Sequence, residues 1–391
     1  SKDMSLVDLT NATGRHPACL FHATDNAILA NAQVFDIAGV GPDYPDPPGG
    51  RVVRNAYGQI TGIVTDQAAE VLRLVMPRPT APELAALFRT AADTAAACGI
   101  TMLCDPSVSP DDLPALEQLA REKKKLPVRI QGALSGNWRD IQPLLARGPV
   151  NLSGGRIEIG SVSMPLDGGF NTGGAILYRP YEDERFNAGV PAPSPEELQS
   201  RVEAVSAAGF SAWILATGDR AIDLAVQALE AASSGGSFQS AMPRVIGGDL
   251  IPPDAVERLR GTGVPLTILP GRWSASRAWL KQRLGQREPD AYNWKALAAA
   301  GVSLRLGSGA PMARPNPVRD FTDAVTTPNG LSREQALAAL TGAVELKAGG
   351  RADFTILSGD IMKIEDGDLA SVLPVLTIVD GEVVFERPGN P

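Results

Sequence analysis

The chain has 391 residues, 44% of them hydrophobic, and a net charge of −8. That is ample length for a buried core, and no cationic face stands out to recruit nucleic acid or an anionic membrane. No run of about 18 apolar residues is available to span a bilayer, and the polar start Ser1-Lys2-Asp3-Met4 does not read as a secretion signal. Three cysteines and two histidines support neither a disulfide scaffold nor a histidine-rich metal centre. Sparse cysteine points to a reducing compartment, so the cytoplasm is the expected location.

The first hundred residues are irregular. Pro17–Phe21 is a short apolar run flanked by His16 and His22. Extended chain puts those histidines on one face and Cys19 on the other, so the three do not meet one ion. The stretch from Pro42 to Gly50 reads as a rigid surface loop. Arg51–Arg54 and Ile60–Val64 flank a hairpin turn at Asn55–Gln59. Thr80–Cys98 is a helix, with Pro82 in its first turn and Gly99 as its stop.

From Ile100 the pattern becomes regular. Seven apolar runs, Ile100–Cys104, Val128–Leu134, Ile157–Met164, Ala212–Ala216, Arg244–Leu250, Pro265–Leu269 and Ser303–Leu306, alternate with amphipathic stretches such as Leu198, Val202 and Val205. Strand and helix alternating this way predict parallel strands with crossover helices. Seven repeats approach the eight of a (β/α)8 TIM-like barrel. The tail adds strands at Ala352–Leu357, Val375–Val379 and Glu382–Phe385, the last two joined by an Asp380-Gly381 turn. The expected division is an N-terminal segment with a β-rich insertion at 1–79, a barrel at 80–345, and C-terminal strands of a small β-sandwich-like satellite at 346–391.

An ordered series of short motifs runs through this pattern. It comprises Asp46-Pro47-Pro48-Gly49-Gly50-Arg51, Thr61-Gly62-Ile63, Gly99-Ile100-Thr101, Asp167-Gly168, Gly218-Asp219-Arg220-Ala221, Gly307-Ser308, Asn316-Pro317 and Ala352-Asp353-Phe354. In this series the chain resembles the amidohydrolase superfamily, in the branch of amidohydrolase family 3 that holds the YtcJ-like enzymes and N-substituted formamide deformylase. The resemblance implies a barrel, a small β domain, and one or two divalent metals cleaving amide-type C–N bonds. It also exposes departures. Where the family places metal ligands, this chain has Ser163, Leu215, Gly247 and Gly309. Asn26 stands in place of a substrate-facing histidine. The family's first barrel strand, with its His-x-His pair, is expected upstream of Ser1. It would come from an upstream fragment of a longer protein, or the N-terminal segment would close the barrel instead.

With those ligands gone, no metal and no other cofactor is expected, and the chemistry falls to acid/base groups at the strand ends. The candidate catalytic residues are Asp167 as base, Asp105 as acid, Asp249, and His22 beside the Asn26 segment. Asn26, Ser163, Arg272, Trp273 and Ser308 are the candidate substrate contacts, with Arg272 able to hold an anionic group by a forked pair of hydrogen bonds. Asp219 opens a helix and reads as its N-cap. The expected function is metal-independent hydrolysis of a C–N, ester or lactone bond in a small molecule, or a lyase or cyclase reaction on the same groups. The alternative is an inactive relative that binds a ligand or stabilises a partner, a homo-oligomer included.

Overall fold

The computed structural model describes residues 4–22, 27–234, 243–311, 313–342 and 347–389. The N-terminal part is a four-stranded antiparallel sheet. Its strands are β1 (Cys19–Phe21), β2 (Ala27–Ala30), β3 (Gly50–Arg54) and β4 (Ile60–Asp66), in the order β1-β2-β4-β3. β3 and β4 are the hairpin expected around Asn55–Gln59, with Val52 opposite Val64. The sheet has its own core of Ile28, Val34, Phe35, Val52, Val64 and Leu72. Fully buried Asn31 ties its edge together. It accepts from the N–H groups of Ala18 and Val34 and donates to Thr13 Oγ1 and the His16 carbonyl, so its amide is buried without loss of partners.

The central sheet contains β5 (Met102–Val108), β6 (Arg129–Leu134), β7 (Val150–Leu152), β8 (Ile157–Pro165), β9 (Ser211–Ala216), β10 (Arg244–Gly247), β11 (Leu266–Ile268) and β12 (Leu304–Leu306). Its order is β12-β11-β10-β9-β8-β6-β5, with neighbours parallel. β7 is an antiparallel addition on β8 that the sequence pattern did not suggest. The seven parallel strands are those expected and curl as a partial barrel. Among the described residues no pairing joins β5 to β12. Helices cover the outside through apolar stripes, such as Leu198, Val202 and Val205, or Ile222, Val226 and Leu229, all fully buried. Each such side chain contributes about 1.5–3 kcal/mol relative to exposure.

The helix Ala81–Ala97 begins as expected, with the Thr80 N–H and hydroxyl both donating to Glu83. Its far end meets the C-terminal sheet of β13 (Phe354–Leu357), β14 (Pro374–Val379) and β15 (Glu382–Glu386). Thr377 Oγ1 donates to the Ala96 carbonyl and Thr355 Oγ1 to the Gly99 carbonyl, each at 2.7 Å. Carbonyls left over at a helix end thus find partners in the tail. Gly99, at φ +82°, leaves room for Thr355 and Pro374, which a Cβ would meet at 2.9 and 3.1 Å. Buried Arg129 at the start of β6 pairs with Asp353 at 2.7 Å and with Asp380, and Arg156 pairs with Asp380 at 2.9 Å. The tail sheet is therefore fixed at the beginnings of the strands, away from their C-terminal ends. No helix among the described residues is long and apolar enough to cross a membrane.

Candidate active site

The C-terminal strand ends open into a cleft of about 1460 Å³. Two glycines carry the chain from β10 to its rim residue Asp249. Gly247 (φ +113°) and Gly248 (φ +66°) turn the chain sharply after β10. Gly248 N–H donates to the Ala216 carbonyl and Leu250 N–H to the Thr217 carbonyl. No side chain fits at 247, because a Cβ would run into the Ala216 carbonyl and would lie 3.6 Å from Arg272 Nη1. The turn delivers Asp249, which is only 3% exposed.

Arg272 comes from the helix Pro270–Ser276 that follows β11. Its Nη1 donates to Asp249 Oδ2 at 3.2 Å. The Tyr292 hydroxyl faces the same carboxylate and accepts from Ser276 Oγ at 3.3 Å. Tyr292 is pushed well above its ordinary value by burial and by the Asp249 charge. Burial raises Asp249, and Arg272 pulls against it. Burial also disfavours the Arg272 charge, but Asp249, Tyr292 and Asp167 outweigh it and hold the guanidinium protonated.

Asp167 follows β8 and is held by backbone alone. Its Oδ1 accepts from Thr217 N–H at 2.8 Å, and its Oδ2 accepts from Gly218 and Ile176 N–H at 2.9 Å each. Burial pushes it up to about 7 against those three donors. Asp167, Asp249, Ser163, Arg272 and Ser308 all line the cleft. Ser163 is buried, and its hydroxyl has no hydrogen-bond partner.

The other expected residues stand elsewhere. Asp105 is not among the residues lining the cleft. Its carboxylate accepts from Ser107 N–H at 2.8 Å, and burial raises it. His22 is exposed just beyond β1 and outside the lining, with its N–H on the Ala27 carbonyl. Trp273 packs against the main core, and the aromatic rings lining the cleft include Trp138, Phe170, Trp279 and Tyr292. Asn26 lies outside the described residues. Asp219 is the first residue of its helix and accepts from Tyr178 N–H at 3.0 Å. Sequence reasoning missed Tyr292 and Asp66. A helical reading of the residues from Pro270 would have paired Ser276 with Arg272, four residues apart and both lining the cleft.

The parallel, curled sheet agrees with the comparisons. A family model described as the amidohydrolase family matches residues 2–385, and the chain belongs to that family. It is 24% identical to the YtcJ protein of Bacillus subtilis (strain 168) over 413 residues, covering 97% of this chain and 76% of that protein. It is 22% identical to an N-substituted formamide deformylase of Arthrobacter pascens over 425 residues, covering 98% of this chain and 76% of that one. A metal-dependent hydrolase from Pyrococcus horikoshii OT3 superposes with a TM-score of 0.74 at 22% identity, over 93% of this chain and 75% of that chain. That likeness establishes the shared barrel fold.

The metals that the family implies do not fit the residues found here. Leu215 offers no donor and packs on an apolar cluster of Ala133, Trp213, Ile246 and Leu269. Position 247 has neither a side chain nor room for one, and Arg272 brings a cation beside it. Among the described residues no group of three or more His, Cys, Asp or Glu side chains is arranged to hold a metal ion.

Proposed function

We propose that this protein hydrolyses a C–N, ester or lactone bond in a small molecule by carboxylate acid/base chemistry, without a metal ion. The observation that carries the reading is the position of Arg272. Its guanidinium lies beside Gly247, hydrogen-bonded to Asp249 and within the field of Asp167, at strand ends where the family pattern places its ligands. The kinship with an N-substituted formamide deformylase directs the choice of bond toward amides.

In this reading the guanidinium supplies the fixed positive charge. Asp249 orients it through Nη1, leaving its remaining N–H groups for a carbonyl oxygen or an anionic group of the substrate. A donor already in place where negative charge develops is commonly worth about 10²–10³ in rate. Asp167 acts as base. Its Oδ1 carries a single backbone donor and so keeps a lone pair to take a proton from water. With a value of about 7 it is ionised in part at neutral pH and still basic enough to accept that proton. Ser163 and Ser308 offer hydroxyls to the bound molecule.

The test is a panel of small amides, formamides, imides, esters and lactones with the purified chain. Turnover that persists in the presence of a chelator and falls in Arg272→Met supports the reading. Absence of turnover across the panel, or turnover indifferent to Arg272→Met, overturns it.

A further inference from the structure

Asp66 lines the cleft without contacting the Arg272–Asp249 pair or the backbone donors of Asp167. It ends β4 of the N-terminal sheet and reaches the cleft from the side opposite in chain order to the strand-end residues. Its seat is made of glycines. A Cβ on Gly168, the residue after Asp167, would collide with Asp66 Oδ1, and one on Gly174 would meet Oδ2 at 2.8 Å. The Thr172 hydroxyl and Gly169 N–H face the carboxyl. Its Oδ1 is buried and has no hydrogen-bond partner. Backbone at φ +50° holds it there, a conformation that an Asp tolerates at some cost. A carboxylate oxygen buried without a donor is unstable as an anion, whereas a proton on the carboxyl removes the charge.

We propose that Asp66 is the general acid of the site, a proton carrier supplied by the N-terminal sheet to a reaction whose base and cation come from the barrel. This rests on the hydrolase reading. In the step, the oxygen of water bonds to the substrate carbonyl carbon while Asp167 takes its proton. The bond from that carbon to the leaving nitrogen or oxygen then breaks, and its electron pair stays on the leaving atom. That atom takes the proton of Asp66. The proton on Asp167 returns through solvent to Asp66, so the site ends as it began.

The groups facing Asp66 and its burial pull in opposite directions. Arg51, on the neighbouring strand, is the facing cation and favours the ionised form. Burial raises Tyr181, and the charges of Asp167 and Asp66, which it faces, add to the rise. Burial nevertheless outweighs Arg51 and the local hydrogen bonds and lifts Asp66 to about 6, just below the value of about 7 for Asp167, so the form with Asp66 protonated and Asp167 ionised is a minority form whose share is greatest between those two values.

Two measurements test the proposal. The first compares substrates that share an acyl group but leave as p-nitrophenoxide or as a simple alkoxide or amine. Asp66→Asn is expected to cut kcat/KM by about 10²–10³ on the poor leaving group, within the usual worth of a positioned acid, and by less than about tenfold on the good one, which needs no proton. An equal loss on both overturns the proposal. The second needs no substrate. The folded value of Asp66 lies above its unfolded one, so its contribution to stability is present below pH 4 and lost as pH rises through about 6. From pH 5 to pH 8 the wild type should therefore lose about 2–4 °C of Tm relative to Asp66→Asn. Parallel curves overturn the proton seat. If the wild type turns over nothing in the panel, the hydrolase reading fails and the catalytic use of Asp66 fails with it, whereas the Tm comparison still decides whether the carboxyl holds a proton.

Discussion

Arg272 Nη1 stands 3.2 Å from Asp249 Oδ2, and Asp249 is almost wholly buried. Neither charge would be stable there alone. Removing the cation leaves an uncompensated carboxylate, which commonly costs about 3–5 kcal/mol. Arg272→Met is expected to lower the urea midpoint and abolish turnover. Adding Asp249→Asn should recover most of the stability and none of the activity. If the double variant regained activity, the guanidinium would be a structural strut only.

Asp167 is fixed by three backbone donors from two elements. In Asp167→Asn one of those N–H groups would face an amide N–H₂. Turnover number is expected to fall by about 10²–10⁴. Because the base must be ionised, wild-type activity on a good leaving group, which needs no proton from Asp66, should rise with pH through about 7, whereas on a poor one it should peak between about pH 6 and 7. The stability effect has the opposite sense. The folded value is raised by burial, so the contribution to stability is full below pH 4 and is lost as pH climbs through about 7. A rate profile flat from pH 5 to pH 8 would contradict the assignment.

Arg129, at the start of β6, ties the central sheet to the C-terminal sheet through Asp353 and Asp380. Arg129→Met is expected to cost about 3 kcal/mol, read by urea denaturation, with little change in KM because the cleft lies at the other end of the strands. Burial works against the Asp353 charge, but Arg129 outweighs it and holds the carboxyl below its ordinary value. The contribution of this pair is therefore present above pH 4 and is lost as pH falls below about 4.

Much of this architecture was legible beforehand, because it depends on local signals. The Pro82 start and Gly99 stop of one helix, the Asp380-Gly381 turn and the seven apolar runs each specify their element within a few residues. Strand-end reasoning also brought Asp167, Asp249 and Arg272 to one cleft. It failed where side-chain direction decides. Trp273 follows Arg272 directly, yet the residues from Pro270 form a helix, so successive side chains point about 100° apart and the Trp273 ring packs on the core. Asp66 was invisible for a different reason. Its partner is a glycine on the loop after β8, and no periodicity links an N-terminal strand to that loop.

Metal-free hydrolysis is the proposal on which the roles of Arg272, Asp167 and Asp66 depend. The most direct measurement is turnover of a panel substrate after exhaustive dialysis against a strong chelator, with metal content determined on the same sample. The account predicts an unchanged rate in protein free of stoichiometric zinc, iron or manganese. Loss of activity on chelation, restored by added zinc, would contradict it.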